Sequence, residues 1–442
     1  SDAMSDAMSD AITDPMTDPA PRGDSVPGVD IVSHDVYAEG VPHRAYDLLR
    51  DAAPVAWINE TAANGHTGRG FWAVTRWEEL VAVHKDWRTY SSEVGGTELE
   101  ELAADAIEAR KTMLETDPPR HTRLRQLVNP AFSKSMVATY GGSATRLVES
   151  VLDDALTYPE LDAVEHIARA LPIRMLTGIL GVPDGDAEQL FHWADQIVYH
   201  ADPDYSAAVV DAVDTDRYRL LPFRSPISER VFEYVERLTA ARGRHPAGDV
   251  ISVLADAAVE GEPLTARERG TFFLLLLIAG NETTRHSLSH ALVAFAENPG
   301  ELARLRADPA LIDTAVEEVL RWASPQIHFR RTATVDTHLA GTPISAGDKV
   351  VTWYVAANFD PAQFADPYRF DVGRTPNRHV TFGGGGPHLC LGQWMARLEV
   401  RVFLEALVRR VDHLELAGPI ERVRSNFING VKRLPIAWRA ID

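Results

Sequence analysis

Apolar and polar residues follow the period of an α-helix over most of the chain between residues 76 and 322. The pattern predicts amphipathic helices at residues 78–84, 120–132, 144–156, 187–198 and 228–242, separated by clusters of proline, glycine and aspartate. Two earlier runs, residues 55–59 and 71–75, predict short strands on either side of a glycine-rich turn at 64–70. The region before residue 322 is therefore expected to be mainly helical.

The longest predicted helix covers residues 265–298. It opens with Thr265-Ala-Arg-Glu268, the pattern of a capping box, and ends before Pro299. At about 1.5 Å per residue it would extend roughly 45 to 50 Å, which is enough to cross a whole domain.

The remainder of the chain combines strands with one more helix. Residues 327–354 are predicted to be rich in strands, residues 391–411 to form a helix, and residues 414–438 to form hairpins around Asn429-Gly430. We therefore expect a fold that is mainly α with a minor β portion. The chemical motifs described below are spread from residue 117 to residue 430 and must meet at one centre, so we predict a single domain at residues 26–442. Residues 1–25 are expected to form a disordered leader.

Composition and charge exclude several classes of partner. Lysine and arginine total 44 against 64 aspartates and glutamates, a formal net charge of −20, which disfavours binding to nucleic acid or to an anionic membrane. The most apolar run, residues 272–279, is far too short to span a bilayer, and the first residues lack the features of a signal peptide. We expect a cytoplasmic monomer.

Four consecutive glycines, residues 383–386, precede the only cysteine of the chain, Cys390. Glycines let the backbone turn sharply and approach a flat, bulky group. The helix predicted just after Cys390 would direct its unpaired N–H groups and positive dipole end toward the sulfur, which favours a thiolate.

Other interpretations of this segment are weaker. A lone cysteine is usually a small buried apolar residue. A phosphate loop would need Gly-Lys-Ser or Gly-Lys-Thr after the glycines, and a zinc site would need partner cysteines. A cysteine–histidine nucleophile that includes His388 stays open, although side chains two residues apart point in different directions.

The segment resembles the haem-binding signature of the cytochrome P-450 family, through Phe382, Gly386, His388, Cys390 and Gly392. The usual signature places the aromatic residue seven positions before the cysteine, whereas Phe382 is eight before it. A similar lengthening occurs in an actinobacterial subset that oxidises steroids and branched lipids. The resemblance implies a cytochrome P-450 fold whose long central helix crosses over the haem. It also implies haem b (iron protoporphyrin IX) as cofactor, with the Cys390 thiolate as the ligand that pushes electron density onto the iron.

A second element lies in the middle of the long predicted helix, Ala279-Gly280-Asn281-Glu282-Thr283-Thr284. Taken alone, it is typical of a kinked buried helix whose hydroxyls bond the carbonyl four residues earlier. It is also similar to the family's oxygen-activating element. That resemblance implies that Ala279 and Gly280 leave room for O2 beside the haem, and that Glu282 and Thr283 are the acid–alcohol pair that relays protons.

Two charged elements are weak individually. Glu318 and Arg321 lie three apart on a helix face, where an exposed pair contributes only about 0.2 to 0.5 kcal/mol. They resemble the family's Glu-x-x-Arg element, and Arg369 in Pro-Tyr-Arg-Phe would then complete a structural ion-pair network.

His121 and Arg125 stand four apart, which alone indicates a solvated basic stripe. The resemblance implies that they bind the haem propionates, together with Arg331 and His388. Because Arg330 adjoins Arg331, either arginine could be the one that reaches the propionate.

By family analogy, substrate contacts are expected from residues 92–113, 196–226, 276–282, 324–329 and 427–431. These segments are apolar with scattered polar groups such as His328 and Asn429, which suits a steroid, terpenoid or natural-product intermediate.

The resemblance thus implies a haem-thiolate monooxygenase that hydroxylates a hydrophobic small molecule with O2. Two electrons would come from NAD(P)H through a separate ferredoxin and reductase that dock near Arg397 and Arg401. One alternative is that the same haem site performs C–C or C–N coupling or desaturation. Another is a haem-binding sensor without turnover.

Overall fold

The computed structural model describes residues 25–60 and 68–441. The predicted leader, apart from Ser25, and most of the predicted turn at 64–70 lie outside these residues.

Sixteen α-helices form within the described ranges, and they dominate the structure. They are α1 His34–Ala38, α2 His43–Ala52, α3 Trp77–Lys85, α4 Ala104–Arg110, α5 Arg120–Phe132, α6 Lys134–Thr139, α7 Gly141–Ala155, α8 Ala170–Leu180, α9 Ala187–Val198, α10 Ser228–Arg244, α11 Val250–Asp256, α12 Ala266–Glu297, α13 Pro299–Ala307, α14 Ile312–Ala323, α15 Tyr354–Ala357 and α16 Gln393–Arg410.

Fourteen short strands form in the same part of the chain. They are β1 Val55–Ile58, β2 Phe71–Val74, β3 Tyr90–Ser91, β4 Glu160–Asp162, β5 Ala258–Val259, β6 Glu262–Pro263, β7 His328–Ala333, β8 Thr337–Leu339, β9 Thr342–Ile344, β10 Lys349–Trp353, β11 Val411–Leu416, β12 Glu421–Arg422, β13 Val431–Arg433 and β14 Pro435–Ala440. The prediction of a mainly α fold with a minor β portion is confirmed.

The long helix α12 is the central element of the helical layer. It packs against α8, α9, α10, α14 and α16. The Thr265 side chain accepts the N–H of Glu268, and the Glu268 side chain accepts the N–H of Thr265, which forms the predicted capping box. Because α12 is buried along most of its length, polar residues in its middle are forced into the protein interior.

The main sheet has the strand order β1-β2-β10-β7-β3 and packs beside the helices. In the β7–β10 pair, Arg331 lies opposite Val350 and Arg330 opposite Val351. Successive side chains of a strand point to opposite faces, so the two arginines enter different environments.

The C-terminal tail pairs β11 with β14 and β12 with β13, as a tail of hairpins requires. The predicted turn is wrong in one respect, because Asn429-Gly430 ends the longer connection 423–430 instead of forming a two-residue turn. The Asn429 N–H donates to the Pro325 carbonyl at 2.8 Å, and the Val423 N–H donates to the Gly430 carbonyl at 3.0 Å. This loop therefore lies against the segment that leads into β7. No helix of the described residues is long and apolar enough to cross a bilayer.

Candidate active site

A large, mainly apolar cavity lies between α12, α5 and residues 382–392, which we call the cysteine loop. Cys390 lines it from the cysteine loop, and Ala279, Gly280, Glu282 and Thr283 line it from α12. The structure thus brings the two most distinctive sequence elements to one cavity.

Two features of the cysteine loop require glycine: positive φ angles, and a backbone that lies too close to its neighbours to leave room for a side chain. Gly383, Gly385 and Gly386 have positive φ angles of 99°, 99° and 75°. A Cβ at Gly386 would come within 2.2 Å of the His84 carbonyl oxygen at the end of α3. The loop closes where the Cys390 N–H donates to the Phe382 carbonyl at 2.9 Å.

His84, which the sequence reasoning missed, fastens the cysteine loop to the sheet. Its Nδ1 accepts the Gly384 N–H at 3.0 Å, so Nε2 carries the proton toward the Thr352 hydroxyl of β10 at 3.0 Å. Burial holds the pKa of His84 well below its usual value, which keeps the ring neutral for this role. No motif marks this histidine, because the contact depends on α3 and the loop meeting in space.

The environment of the Cys390 sulfur combines opposing effects. Burial raises the pKa of the thiol, whereas a hydrogen bond from the Gly392 backbone and the charges of Arg125 and Arg397 lower it. Burial is the largest of these effects on the unligated thiol. A bound metal would have to displace the proton.

Two guanidinium groups reach this cavity without a carboxylate partner. Arg331 is only 4% exposed, and no carboxylate of the described residues lies within ion-pair distance of it or of Arg125. Burial lowers the pKa of both side chains. Arg330 instead points away from the cavity and pairs with Glu101 at 3.5 Å. Of the two adjacent arginines, Arg331 is therefore the one at the cavity.

Two histidines complete this polar wall. The His121 Nε2 lies 2.9 Å from the Pro387 carbonyl oxygen and its Nδ1 lies 2.8 Å from that of Met113. The rings of His121 and His388 are 4.0 Å apart, and the His388 Nε2 is buried without a hydrogen-bond partner. Burial lowers the pKa of both histidines.

These residues fit haem b. An apolar cavity accepts the flat macrocycle, unpaired guanidinium groups suit two propionates, and one sulfur faces the interior. Among the described residues no three histidine, cysteine or acidic side chains gather as a metal cluster.

The middle of α12 is continuous helix. The Thr283 hydroxyl donates to the Ala279 carbonyl at 3.0 Å, which is the bond to the carbonyl four residues earlier that the structural interpretation expects. A Cβ at Gly280 would come within 2.9 Å of Leu176 on α8, so close helix packing is one reason for glycine there. The helix continues without interruption across this element.

The Glu282 carboxylate is fully buried in a charged cluster. It accepts the hydroxyl of Tyr199 and the Asn281 amide at 2.9 Å. Arg285, one turn further along α12, pairs with Asp195 of α9 at 2.9 Å. The sequence signalled the acid but not Tyr199, because this residue lies just after α9 and 83 residues earlier in the chain.

Glu318 and Arg321 form a fully buried bidentate pair, with both N–O distances 2.8 Å. The third member is Arg374, whose Nε lies 3.1 Å from Glu318. The assignment of Arg369 is a correction: its side chain is exposed, and only its carbonyl accepts from Arg321 and Arg374.

The same network reaches the cysteine loop through Asn358. Arg321 donates to the Asn358 carbonyl at 2.9 Å. The Asn358 side chain accepts the Val380 N–H at 2.7 Å and donates to the Thr381 hydroxyl at 3.0 Å. The buried ion pair therefore supports the residues that lead into Phe382.

Arg397 and Arg401 of α16, near which a redox partner is expected to dock, both pair with acidic residues of α14. Arg397 pairs with Glu317 at 2.7 Å and lies over the Phe382 ring, and Arg401 pairs with Asp313. Acidic neighbours on α14 neutralise both charges.

On the substrate side, the predicted polar contacts also change. His328 and Asn429 bond backbone carbonyls inside the protein and do not line the cavity. The cavity's polar groups include Glu98, Arg110 and Gln326 instead.

Comparison with known proteins places this arrangement in a family. The Cytochrome P-450 family model matches residues 80–426. A methyl-branched lipid omega-hydroxylase of Mycobacterium tuberculosis is 36% identical over 421 residues, covering 93% of this chain and 95% of that protein. A steroid C26-monooxygenase of Mycobacterium bovis is 33% identical, covering 95% and 94%.

Solved structures agree. A Mycobacterium marinum cytochrome P-450 in complex with pseudoionone superimposes with a TM-score of 0.84 at 34% identity, covering 94% of this chain and all of that one. Family model, full-length relatives and fold together establish that this chain belongs to the cytochrome P-450 family of monooxygenases, with haem b as its cofactor.

Proposed function

We propose that this protein hydroxylates a hydrophobic small molecule, a steroid, terpenoid or related lipid, with O2 and two electrons from NAD(P)H. A separate ferredoxin and its reductase would deliver the electrons. One observation carries the proposal: the sulfur of Cys390 and the Glu282–Thr283 pair line the same apolar cavity. The haem, when bound, supplies the activation of O2 and its insertion into a C–H bond.

The side chains around the cysteine loop would hold the cofactor. Cys390 would ligate the iron, and Arg125, Arg331, His121 and His388 would bind the propionates. The supporting observation is that these cationic and imidazole groups converge on one wall without carboxylates of the protein to neutralise the guanidinium groups.

Thr283 and Glu282 would manage protons at the oxygen-binding side of the cavity. The Thr283 hydroxyl faces the cavity while bonded to the Ala279 carbonyl, and rotation about one side-chain bond can redirect it. The Glu282 carboxylate lies next in the chain, inside the protein, with the Tyr199 hydroxyl as its donor. The pair thus offers a route for a proton from the interior to the cavity.

The substrate class rests on the cavity and on the relatives. The cavity wall includes nine leucines, four isoleucines, five phenylalanines and two methionines, which favours a hydrophobic ligand. The names of two relatives specify a methyl-branched lipid and a steroid as their substrates.

Thr283→Ala and Thr283→Ser test the proton route in the reconstituted system. Thr283→Ala should keep its haem and its substrate-induced Soret shift. The fraction of NADPH recovered as product should fall several-fold and hydrogen peroxide should rise, with Thr283→Ser close to wild type. Unchanged coupling in Thr283→Ala would remove Thr283 from the route. Failure of every lipid in a broad panel to stimulate NADPH oxidation would favour a sensor.

A further inference from the structure

The segment 93–115, which forms one wall of the cavity, contains seven acidic residues. Six of them have a partner in the protein. The partnerships are Glu93 with Lys111 at 2.7 Å, Glu100 with Arg110 at 2.9 Å, Glu101 with Lys349 at 3.0 Å, Asp105 with Arg219 at 2.7 Å, Glu108 with Lys111 at 3.7 Å and Glu115 with Thr97 at 2.8 Å.

Glu98 is the exception. No hydrogen bond or ion pair joins its carboxylate to any described residue, yet the side chain lines the cavity. Burial raises the pKa of Glu98 to about 7; the charge of Arg110 opposes this shift, and Glu100 and Glu115 add to it. The carboxyl group is therefore in a poorly solvated position that its own chain does not satisfy.

The nearest cation cannot supply the missing partner. Arg110 donates to both oxygens of Glu100, at 2.9 and 3.4 Å, and its Nε donates to the Arg219 carbonyl at 2.8 Å. The partly exposed Glu98 carboxyl group faces a mainly apolar cavity without a hydrogen bond from the protein, so a ligand that offers a donor gains by binding there.

Glu98 and Cys390 occupy different parts of the cavity. The charges that act on Cys390 are Arg125 and Arg397, whereas those that act on Glu98 are Arg110, Glu100 and Glu115. The two groups share no charged neighbour, although both line the same space. A long ligand bound at Glu98 can therefore extend toward the place that the haem would occupy.

We propose that Glu98 determines substrate specificity by binding an O–H or N–H donor, a hydroxyl or an ammonium group, at one end of a hydrophobic substrate. This inference rests on the proposed function and makes it more specific. With the donor end held at Glu98, the opposite apolar end would extend toward the Thr283 side of the haem, where oxidation occurs.

The experiment measures dissociation constants from Soret shifts of the haem-loaded protein. The probes are two matched sets, on a cholestane and on a hexadecane skeleton, each with one terminal hydroxyl, primary amine or methyl ether. In at least one set the wild type should bind both donor ligands about tenfold tighter than the ether, as expected for a hydrogen bond to a buried carboxylate. Glu98→Leu should abolish this preference.

Three controls separate recognition from structure. Glu108→Leu removes an exposed carboxylate of the same segment and should keep the preference. Glu98→Gln keeps one acceptor oxygen and should retain the hydroxyl preference but lose the ammonium preference. The melting temperature of Glu98→Leu should not fall, since no protein contact is lost.

The pH dependence of binding distinguishes an ammonium donor from a hydroxyl donor. Ammonium affinity should rise with pH as Glu98 ionises, while hydroxyl affinity should change little, because a carboxyl group pairs with a hydroxyl in either state. Equal binding of hydroxyl and ether in both sets, or amines that only ligate the iron and shift the Soret band to the red, would overturn the assignment of Glu98 and leave the lipid substrate intact. No binding by any probe would overturn the lipid proposal and this inference together.

Discussion

Arg331 shows at the residue scale how the protein prepares for an anionic group. Its guanidinium is buried at the cavity with no carboxylate of the described chain in range, which makes the charge unfavourable until a partner arrives. The neighbouring Arg330 already has Glu101. The charge of Arg331 therefore destabilises the haem-free protein, whereas the charge of Arg330, the adjacent residue of β7, is compensated by Glu101.

Arg331→Leu should weaken haem binding and stabilise the haem-free protein. Loss of a charge-assisted hydrogen bond corresponds to about 1.5 to 3 kcal/mol in affinity, while removal of an unpaired buried charge raises the free energy of unfolding of the apoprotein. Haem titration and urea unfolding measure the two effects. Arg330→Leu is the control and should lower apoprotein stability instead. A less stable Arg331→Leu apoprotein would show that the charge is already satisfied.

The sequence could not choose between Arg330 and Arg331. The motif places a basic residue before Thr-Ala-Thr, but only the register of β7 against β10 decides which side chain enters the cavity. Likewise nothing in the sequence singles out Glu98, whose proposed role depends on its acidic neighbours having partners while it has none.

At the scale of elements, helix boundaries followed closely from the hydrophobic pattern. Helices α5 and α9 have the predicted limits, and α3, α7, α10 and α16 differ by at most three residues at either end. Strong periodicity of apolar and polar residues accounts for this. The connections were harder, because loops such as 423–430 take their shape from distant carbonyls like that of Pro325.

The ion-pair network that supports the cysteine loop likewise has one part that the sequence predicts and one part that it does not. The Glu318–Arg321 spacing is local and was visible, whereas the third member lies more than fifty residues away. Arg369 and Arg374 both follow Pro367 in the chain, so the sequence does not distinguish them. Only the fold shows that Arg374 contacts the Glu318 carboxylate.

Arg374→Ala should lower the free energy of unfolding by about 2 kcal/mol, because it removes one partner of a buried carboxylate that retains Arg321. Arg369→Ala removes an exposed side chain and should stay within about 0.5 kcal/mol of wild type. Urea unfolding of the haem-loaded variants measures both. The reverse order of effects would restore Arg369 as the third member.

At the scale of the whole molecule, buried acids set how stability depends on pH. Glu399 on α16 is 1% exposed, has one oxygen without a hydrogen-bond partner, and has its pKa raised by burial to about 8. The folded protein therefore holds a proton that the unfolded chain releases above about pH 4.5. Stability from this group is present at low pH and is lost as the pH rises toward 8.

Glu399→Gln should remove that loss. Relative to wild type, its free energy of unfolding should increase by about 1.4 kcal/mol per pH unit between about pH 5 and pH 8. Urea titrations at several pH values give the slopes. Parallel slopes for the two proteins would mean that Glu399 is ionised in the folded state.

The overall architecture was the most predictable level, because a long central helix, a glycine-rich cysteine loop and the order of the motifs all constrain one fold. The partners of single surface charges were less predictable. Arg397 and Arg401 looked like free basic residues in the sequence, yet they pair with Glu317 and Asp313 of α14.

The most direct test of the central claim is the absorption spectrum of the reduced, carbon monoxide-bound protein. Thiolate ligation by Cys390 predicts the long-wavelength Soret band from which the family takes its name, and its complete loss in Cys390→Ser with the fold retained. A wild-type protein that binds haem without this band, or a Cys390→Ser variant that keeps it, would contradict the assignment of Cys390 as the ligand.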